Sequence, residues 1–327
     1  WYLLHQLHEQ GISRFVLLTG YLKEKIEDYF GDGSFWGWKI QYSKGPADWD
    51  TGKRIWEAKE QLDDRFLLLY SDNFVTFSLD KLLEIHKKNE KPLTFIASQK
   101  TPGNLSINST GIVKKYDNSC SSKLFDYKEL GYMIVDKKET LNYYQSPECS
   151  FSLILQKMAD NQKINSYIHQ DSYHSVSDLE RWKRTEEYLT PKKIILIDRD
   201  GGINKKALSG EYVSRWDDFE WIDETRNAMR TLSQKDFKFI IISNQAGIAR
   251  GMINPQELEL IHQNMNDELL HDDIEILDIY VCIHHWEDNC SFRKPKPGML
   301  YKASRDWLFR LDKTLFVGDD LRDCQAA

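Results

Sequence analysis

Two aspartates, Asp198 and Asp200, directly follow the apolar run at residues 194–197 and precede two glycines. An apolar run of this length bounded by glycine is typical of a buried strand that ends at a tight loop. In a parallel α/β sheet, ligands bind beyond the carboxyl ends of the strands. Paired carboxylates there can bind Mg²⁺, and one can attack a phosphorus atom while the other transfers a proton. The alternative interpretation is a polar turn after a buried strand.

Three later apolar runs, at residues 239–242, 279–283 and 315–317, also lead to polar residues. Helix-like stretches at 255–270 and 299–311 alternate with them, and this alternation predicts a parallel α/β sheet. The strand ends then bring together carboxylates, a hydroxyl group and a lysine, which are groups that phosphoryl transfer needs. The polar residues are Ser243 and Asn244 after the first run, Arg293 and Lys294 beyond the second, and Asp319, Asp320 and Asp323 after the third.

Four motifs occur in a characteristic order: Asp-Arg-Asp-Gly at 198–201, Ser-Asn-Gln at 243–245, Arg-Lys-Pro-Lys-Pro-Gly at 293–298 and Gly-Asp-Asp at 318–320. This order resembles the haloacid dehalogenase (HAD) superfamily of phosphatases. More narrowly, the motifs resemble the D-glycero-D-manno-heptose 1,7-bisphosphate phosphatases and the related histidinol phosphatases. The resemblance covers about residues 192–327 and implies a HAD-type Rossmannoid parallel sheet.

The resemblance implies a catalytic role for each matching residue. Asp198 matches the nucleophile that forms an aspartyl-phosphate, and Asp200 matches the general acid/base. Ser243 and Lys294 match the hydroxyl and the cation that bind the phosphate, since a fixed positive charge offsets charge on the transferring phosphoryl group. Asp319 matches the Mg²⁺-binding aspartate, and the Mg²⁺ site is also expected to include Asp198 and Asp200, the latter through its backbone carbonyl.

Four further residues of these motifs have two interpretations each. Asn244 and Arg293 are expected to contact substrate, and a plain loop role is the alternative. Asp320 and Asp323 either lie around the metal ligands or are simply solvated.

The sequence departs from the phosphatase family pattern at the zinc-binding residues. The family often carries a C-x-H and a C-x-C pair before the Arg-Lys, and Cys282, His284 and Cys290 match three of these ligands, whereas Phe292 occupies the fourth position. Structural zinc normally has four ligands. His285 could substitute, or the loop no longer binds metal. We therefore expect Mg²⁺ and regard Zn²⁺ as doubtful.

The first half contains strand-like runs at residues 15–18, 40–43 and 66–70 after a helix-like stretch at 1–10. The third run leads to Asp72. A single aspartate after a strand is more often a turn former than a metal ligand.

Residues 11–21, 29–33 and 71–73, taken together, resemble the sugar-1-phosphate nucleotidyltransferases over about residues 1–188. The resemblance implies a Rossmann-like mixed sheet. Asp72 would then bind the Mg²⁺ that bridges nucleoside triphosphate and sugar phosphate. The binding residues it implies are Thr51 and Gly52 near the nucleotide and Gly131 in the strand beneath the sugar.

Two departures weaken the transferase interpretation. The family's glycine-rich loop with its arginine and lysine does not occur in this sequence, which begins at Trp1 and stops at Ala327. We therefore expect a fragment cut at both ends. The family's late metal-binding aspartate falls at Ser175, and Asp178 is expected to cap the following helix.

Composition limits the classes of protein. A net charge of −7 with 29% charged residues argues against nucleic-acid binding, and no stretch of about 18 uninterrupted apolar residues suggests a membrane span. Five cysteines without a disulfide-like spacing suit a reducing cytoplasm. The Pro191 region is the expected boundary between domains at residues 1–189 and 192–327. The oligomeric state stays open.

The resemblances together imply a bifunctional α/β enzyme of sugar-nucleotide biosynthesis. Its phosphatase would remove the 7-phosphate of heptose 1,7-bisphosphate, and its transferase would join the remaining 1-phosphate to a nucleotide, with guanine expected by analogy of pathway. The alternative is a histidinol-phosphate-type phosphatase with a degenerate, non-catalytic module that binds sugar phosphate. Sugar phosphates and a nucleoside triphosphate are the expected partners.

Residues 1–327 should not form nucleotide-sugar, because backbone N–H groups of a glycine-rich loop are what bind a triphosphate. The protein is incubated with GTP, Mg²⁺ and heptose 1-phosphate, and pyrophosphate is assayed. Sustained release well above a no-enzyme control would contradict this expectation.

Overall fold

A computed structural model describes residues 1–117, 125–208 and 210–327. The chain divides into two compact units, Trp1–Asp178 and Leu179–Ala327. This division differs from the domains predicted from sequence only around the helix Leu179–Leu189, which it places with the second unit.

The first unit combines short helices with several sheets. Its helices are α1 (Tyr2–His8), α2 (Lys23–Phe30), α3 (Thr51–Ala58), α4 (Leu79–Lys88), α5 (Lys137–Leu141) and α6 (Phe151–Asp160). Its strands are β1 (Arg14–Thr19), β2 (Lys39–Lys44), β3 (Arg65–Leu69), β4 (Asn73–Phe74), β5 (Leu93–Gln99), β6 (Leu105–Ile107), β7 (Val113–Tyr116), β8 (Tyr127–Asp136), β9 (Ile164–His169) and β10 (His174–Ser175).

The largest sheet of this unit is mixed, as the sequence predicted. Its strand order is β7-β6-β8-β5-β9, and β3 also pairs with β8. The β5–β9 pair is parallel, whereas β8 is antiparallel to β3, β5 and β6. Strands β1 and β2 form a separate parallel pair, and β10 pairs with β4. The three strand-like runs of the first half are therefore confirmed as β1, β2 and β3.

The second unit alternates strands and helices. Its helices are α7 (Leu179–Leu189), α8 (Asp223–Ser233), α9 (Pro255–His271), α10 (Gly298–Trp307) and α11 (Leu321–Ala326). Its strands are β11 (Ile194–Ile197), β12 (Lys238–Asn244), β13 (Ile276–Cys282) and β14 (Leu315–Val317). Helix α10 is shorter than the predicted stretch because Leu308 takes a left-handed conformation, φ 49°, which ends it.

The four strands of the second unit form a parallel sheet in the order β13-β12-β11-β14. Ile195 and Ile241 belong to one core cluster, which also includes residues of α9. Leu196 and Ile240 belong to another, which includes residues of α10. Both faces of the sheet are covered, and this explains why its strands are continuous apolar runs. The predicted parallel sheet is confirmed, and its carboxyl ends lie along one edge.

Among the helices that the structure describes, none has the length and apolar character needed to cross a membrane.

Candidate active site

A buried lysine forms the centre of the site at the carboxyl edge of the second unit's sheet. The Lys294 ammonium is 2.8 Å from Asp198 Oδ1 and 2.6 Å from Asp323 Oδ1, and it donates to the Ile242 carbonyl at 2.9 Å. Lys294 is only 3% exposed and Asp198 7%. Burial raises the pKa of Asp198 to about 6, although the positive charge of Lys294 opposes this shift.

The backbone of Lys294 is fixed by Asn244 at the end of β12. Asn244 Nδ2 donates to the Lys294 carbonyl at 3.0 Å, and the Lys294 N–H donates to Asn244 Oδ1 at 3.1 Å. Both polar groups of the Asn244 amide therefore position the lysine. The contact expected between Asn244 and the substrate stays a prediction.

Asp323 is buried, so the interpretation that it is simply solvated is wrong. It is 3% exposed, and its carboxylate accepts the backbone N–H of Asp320 in a reciprocal cap at the start of α11. Asp320 accepts the N–H of Arg322 in the same cap. The spacing Asp-x-x-Asp before a helix was the sequence signal for this arrangement.

The Asp200 carboxylate has a different environment from that of Asp198. It accepts hydrogen bonds from Arg199, from Asn204 Nδ2 at 2.9 Å and from Gln245 Nε2 at 2.7 Å. Burial alone would raise the pKa of Asp200, but the charge of Arg199 and these hydrogen bonds outweigh it, and the pKa is lowered. Gln245 Nε2 also donates to Ser243 Oγ at 2.8 Å. Through Gln245, the motif at 243–245 is therefore linked to Asp200 of the motif at 198–201.

The sequence analysis missed the residues that support Asp200, notably Arg199 and His262. Arg199 is fully buried, and its Nη1 lies 3.2 Å from His262 Nε2 on α9. Burial and the charge of Arg199 lower the pKa of His262 to about 4. The imidazole is therefore neutral and accepts the guanidinium N–H. An arginine between two motif aspartates was a visible signal, but nothing in the sequence connected it with a histidine 63 residues later.

Asp198, Asp319 and Asp323 can each place a carboxylate oxygen within 4.8 Å of the other two. Gly201 has φ 94°, and a Cβ there would overlap the Asp319 carboxylate. The glycine therefore permits the close approach of Asp319. Oxygen ligands of this kind fit Mg²⁺, which is commonly bound by one or two carboxylates together with substrate phosphates. The Asp200 carboxylate is bonded to Arg199, Asn204 and Gln245 instead.

A cavity of about 540 Å³ lies beside Asp198 and Asp323. Asp198, Asp200 and Lys294 line one part of it. Tyr212 and Trp286 contribute aromatic walls, and other lining residues are charged. These charged residues include Lys206, Arg293, Asp320 and Arg322. The cavity lining combines carboxylates, cations and apolar surface, a combination that can accept a phosphorylated organic molecule.

The three possible zinc ligands do come together. Cys282 Sγ lies 3.7 Å from His284 Nδ1 and 3.9 Å from Cys290 Sγ, and the three can place ligand atoms within 4.8 Å of one another. His285 instead caps a 3₁₀ turn by accepting the N–H of Glu287 at 3.3 Å. Phe292 supplies no ligand. Three of four normal zinc ligands are thus in place.

In the first unit, two predicted binding residues have packing roles. Gly131 in β8 has φ 77°, and a Cβ there would lie 2.8 Å from the Tyr70 side chain. A Cβ on Gly52 would overlap the Cys149 carbonyl. Thr51 begins α3, where Asp50 accepts the Gly52 N–H at 2.8 Å.

Asp72 lies exposed after β3, and its carbonyl accepts the N–H of Val176 at 2.9 Å. Ser175 pairs with Asn73, so the position expected for a second metal-binding aspartate is adjacent to Asp72 but carries a hydroxyl.

Glu129 is a buried carboxyl group of the first unit that the sequence analysis did not identify. Burial raises its pKa to about 7, and its N–H donates to Asn104 Oδ1 at 2.9 Å.

Two family models match the chain. The model described as nucleotidyl transferase matches residues 1–114, and the model described as polynucleotide kinase 3 phosphatase matches residues 193–323. These matches and the two folds define the class of protein. The chain is an enzyme in which a nucleotidyltransferase domain is fused to a phosphoric monoester hydrolase of HAD type.

The chain is 39% identical over 141 residues to the D-glycero-beta-D-manno-heptose-1,7-bisphosphate 7-phosphatase of Escherichia coli K12, with 41% of this chain and 72% of that protein covered. It is 32% identical over 138 residues to the D-glycero-alpha-D-manno-heptose-1,7-bisphosphate 7-phosphatase of Mycobacterium tuberculosis H37Rv, at 41% and 70% coverage. The crystal structure of D,D-heptose 1.7-bisphosphate phosphatase from B. bronchiseptica, complexed with magnesium and phosphate, is 34% identical and covers 41% of this chain and 74% of that one, with a TM-score of 0.40. The chain belongs to the heptose-1,7-bisphosphate 7-phosphatase family.

The neutral His262 predicts a specific loss of stability in acid. Its pKa in the folded protein lies near 4, below the ordinary value of 6.5, so the unfolded chain binds more protons between these values. Acidification from pH 7 to pH 5 should therefore lower the free energy of unfolding by about 2 kcal/mol through this histidine. His262→Gln retains an acceptor for Arg199 and should lose less stability over this range. Urea unfolding followed by tryptophan fluorescence compares the two proteins, and an equal loss in both would count against this role.

Zinc should be absent or weakly bound, because Phe292 leaves the site one ligand short. Elemental analysis after dialysis against a mild chelator should find well under one zinc per chain. Phe292→Cys restores the C-x-H and C-x-C pattern and should retain about one zinc. One tightly held zinc in the wild-type protein would overturn this expectation and point to another fourth ligand.

Proposed function

We propose that the second unit removes the 7-phosphate of heptose 1,7-bisphosphate through an aspartyl-phosphate on Asp198. The observation that carries this proposal is the buried pair of Asp198 and Lys294, 2.8 Å apart, both of which line the cavity. The relatives' substrate supports the choice of sugar over histidinol phosphate. Their names include both the beta and the alpha heptose, so both anomers are substrates to test.

In this mechanism an oxygen of Asp198 attacks the phosphorus atom, and the bond to the sugar oxygen breaks. Lys294 is already oriented by Asp323 and the Ile242 carbonyl, so its ammonium stabilises negative charge on the phosphoryl oxygens without reorganisation. The Ser243 hydroxyl, aligned by Gln245, donates to another phosphoryl oxygen. Arg293 lines the same cavity and is proposed to contact the substrate.

Asp200 carries the proton in both halves of the reaction. Its lowered pKa keeps Asp200 ionised, the form that can accept a proton from the water that hydrolyses the aspartyl-phosphate. For the first half it must be protonated to donate to the leaving sugar oxygen. An incoming anionic phosphate raises the pKa of a nearby carboxyl group and favours that protonation.

Asp198 and Asp319 are proposed to hold Mg²⁺, with Asp200 contributing through its backbone. When bound, the ion neutralises charge on the phosphoryl oxygens and orients them. Cation binding also favours the ionised form of Asp198, the form that acts as nucleophile.

We further propose that, in a chain that also carries the glycine-rich loop, the first unit joins the resulting sugar 1-phosphate to a nucleotide, with Asp72 binding Mg²⁺ and guanine as the base. The match of residues 1–114 to nucleotidyl transferases supports the reaction type, and guanine rests on analogy of pathway. In this proposal the two domains act in succession on one sugar, because the product of the phosphatase is the substrate of the transferase. The product would be an activated heptose for surface polysaccharide, made in the cytoplasm.

Asp198→Asn should abolish phosphate release from heptose 1,7-bisphosphate, because an amide is a poor nucleophile. Asp200→Asn should lower the rate by about 10² to 10⁴, the usual contribution of a general acid/base. Phosphate release is measured at saturating Mg²⁺, and circular dichroism verifies the fold. Lys205→Met, which removes an exposed ion pair with Glu220, is the matched control. Wild-type turnover in a folded Asp198→Asn protein would refute the nucleophile.

A further inference from the structure

Lys206 contacts Asp319, one member of the carboxylate cluster of Asp198, Asp319 and Asp323. Its ammonium lies 2.7 Å from Asp319 Oδ2 and 3.9 Å from Asp320 Oδ2, and its side chain lines the same cavity as Asp198. The side chain is 43% exposed, so it can move without disturbing the core. The adjacent Lys205 is different, because it pairs with Glu220 at 2.8 Å and is not among the residues that line this cavity.

Asp319 therefore has two possible cationic partners. Its carboxylate belongs to the cluster with Asp198 and Asp323, and the same carboxylate accepts the Lys206 ammonium. An ammonium bound there occupies one oxygen and repels a divalent ion that approaches the cluster. The ion pair with Lys206 thus opposes cation binding by Asp319.

A phosphate in the cavity reverses this effect. A phosphate group is a stronger acceptor for an ammonium than an already shared carboxylate, and charge-assisted bonds of this type are short and strong. If the Lys206 ammonium turns to the phosphate, Asp319 regains both oxygens and the ammonium no longer lies against the cation. Phosphate binding then favours metal binding, and linkage makes the effect reciprocal.

We propose that Lys206 exchanges between Asp319 and a phosphoryl group, so that this positioning residue couples phosphate binding to Mg²⁺ binding. The proposal rests on the proposed phosphatase function of the second unit. It explains why a lysine, rather than a neutral side chain, lies against a carboxylate that is needed for a metal.

The test is calorimetric titration of the full chain with Mg²⁺, in the presence and absence of inorganic phosphate at one pH. Lys206→Met should bind Mg²⁺ several-fold more tightly than wild type when phosphate is absent. Phosphate should tighten Mg²⁺ binding about 10-fold in wild type, a coupling of ordinary size, and clearly less in Lys206→Met. Lys205→Met, which removes the neighbouring positive charge outside the cavity, should match wild type.

Lys206→Arg keeps the charge and should preserve a phosphate-dependent gain in Mg²⁺ affinity. The proposal is overturned if phosphate tightens Mg²⁺ binding in Lys206→Met by the same factor as in Lys205→Met. That result would leave the phosphatase function intact. Failure of the wild-type protein to release phosphate from heptose 1,7-bisphosphate would overturn the function instead, while the titrations would still decide the role of Lys206.

Discussion

The arrangement around Asp198 depends on one buried ammonium group, that of Lys294. Lys294 is almost fully enclosed, and an ammonium group in such a place is tolerated only when charged and polar partners compensate for its lost hydration. Asp198 and Asp323 supply the charge, and the Ile242 carbonyl supplies a further acceptor. The lysine therefore fixes Asp198 relative to the end of β12 and to the start of α11. Removal of either carboxylate leaves a buried charge without its full compensation.

The two motif aspartates, Asp198 and Asp200, are separated by one residue but have opposite electrostatic surroundings. Burial dominates at Asp198 and raises its pKa to about 6, even with Lys294 beside it. At Asp200 the charge of Arg199 and several hydrogen bonds outweigh burial and lower the pKa. Environments that separate the pKa values of paired carboxyl groups are what allow the two to take different parts in one reaction. The neutral His262 completes this arrangement by accepting from Arg199 without adding charge.

The first unit has a fold suited to its family but a less complete site. Gly131 and Gly52 are needed because Tyr70 and the Cys149 carbonyl approach them closely, which is a packing reason for glycine beside any reason of ligand binding. Asp72 and Ser175 lie on neighbouring short strands or directly beside them, so the chain brings the expected metal position together with only one carboxylate. At this metal position, the departure from the family pattern is therefore a side chain, Ser175 in place of an aspartate, rather than the backbone.

The sequence by itself determined the order of elements and the polar side chains that follow the strands. Apolar runs such as 194–197 and 239–242 are local signals, and a sheet covered on both faces requires them, so the parallel sheet and the residues at its carboxyl edge could be predicted. Only the tertiary structure decided what those residues contact. Asn244 bonds to the backbone of Lys294 50 residues away, Arg199 finds His262, and Asp323 is buried beside a lysine rather than solvated. These partners are set by how strands and helices pack across the sheet, and spacing along the chain carries no information about distances of that kind.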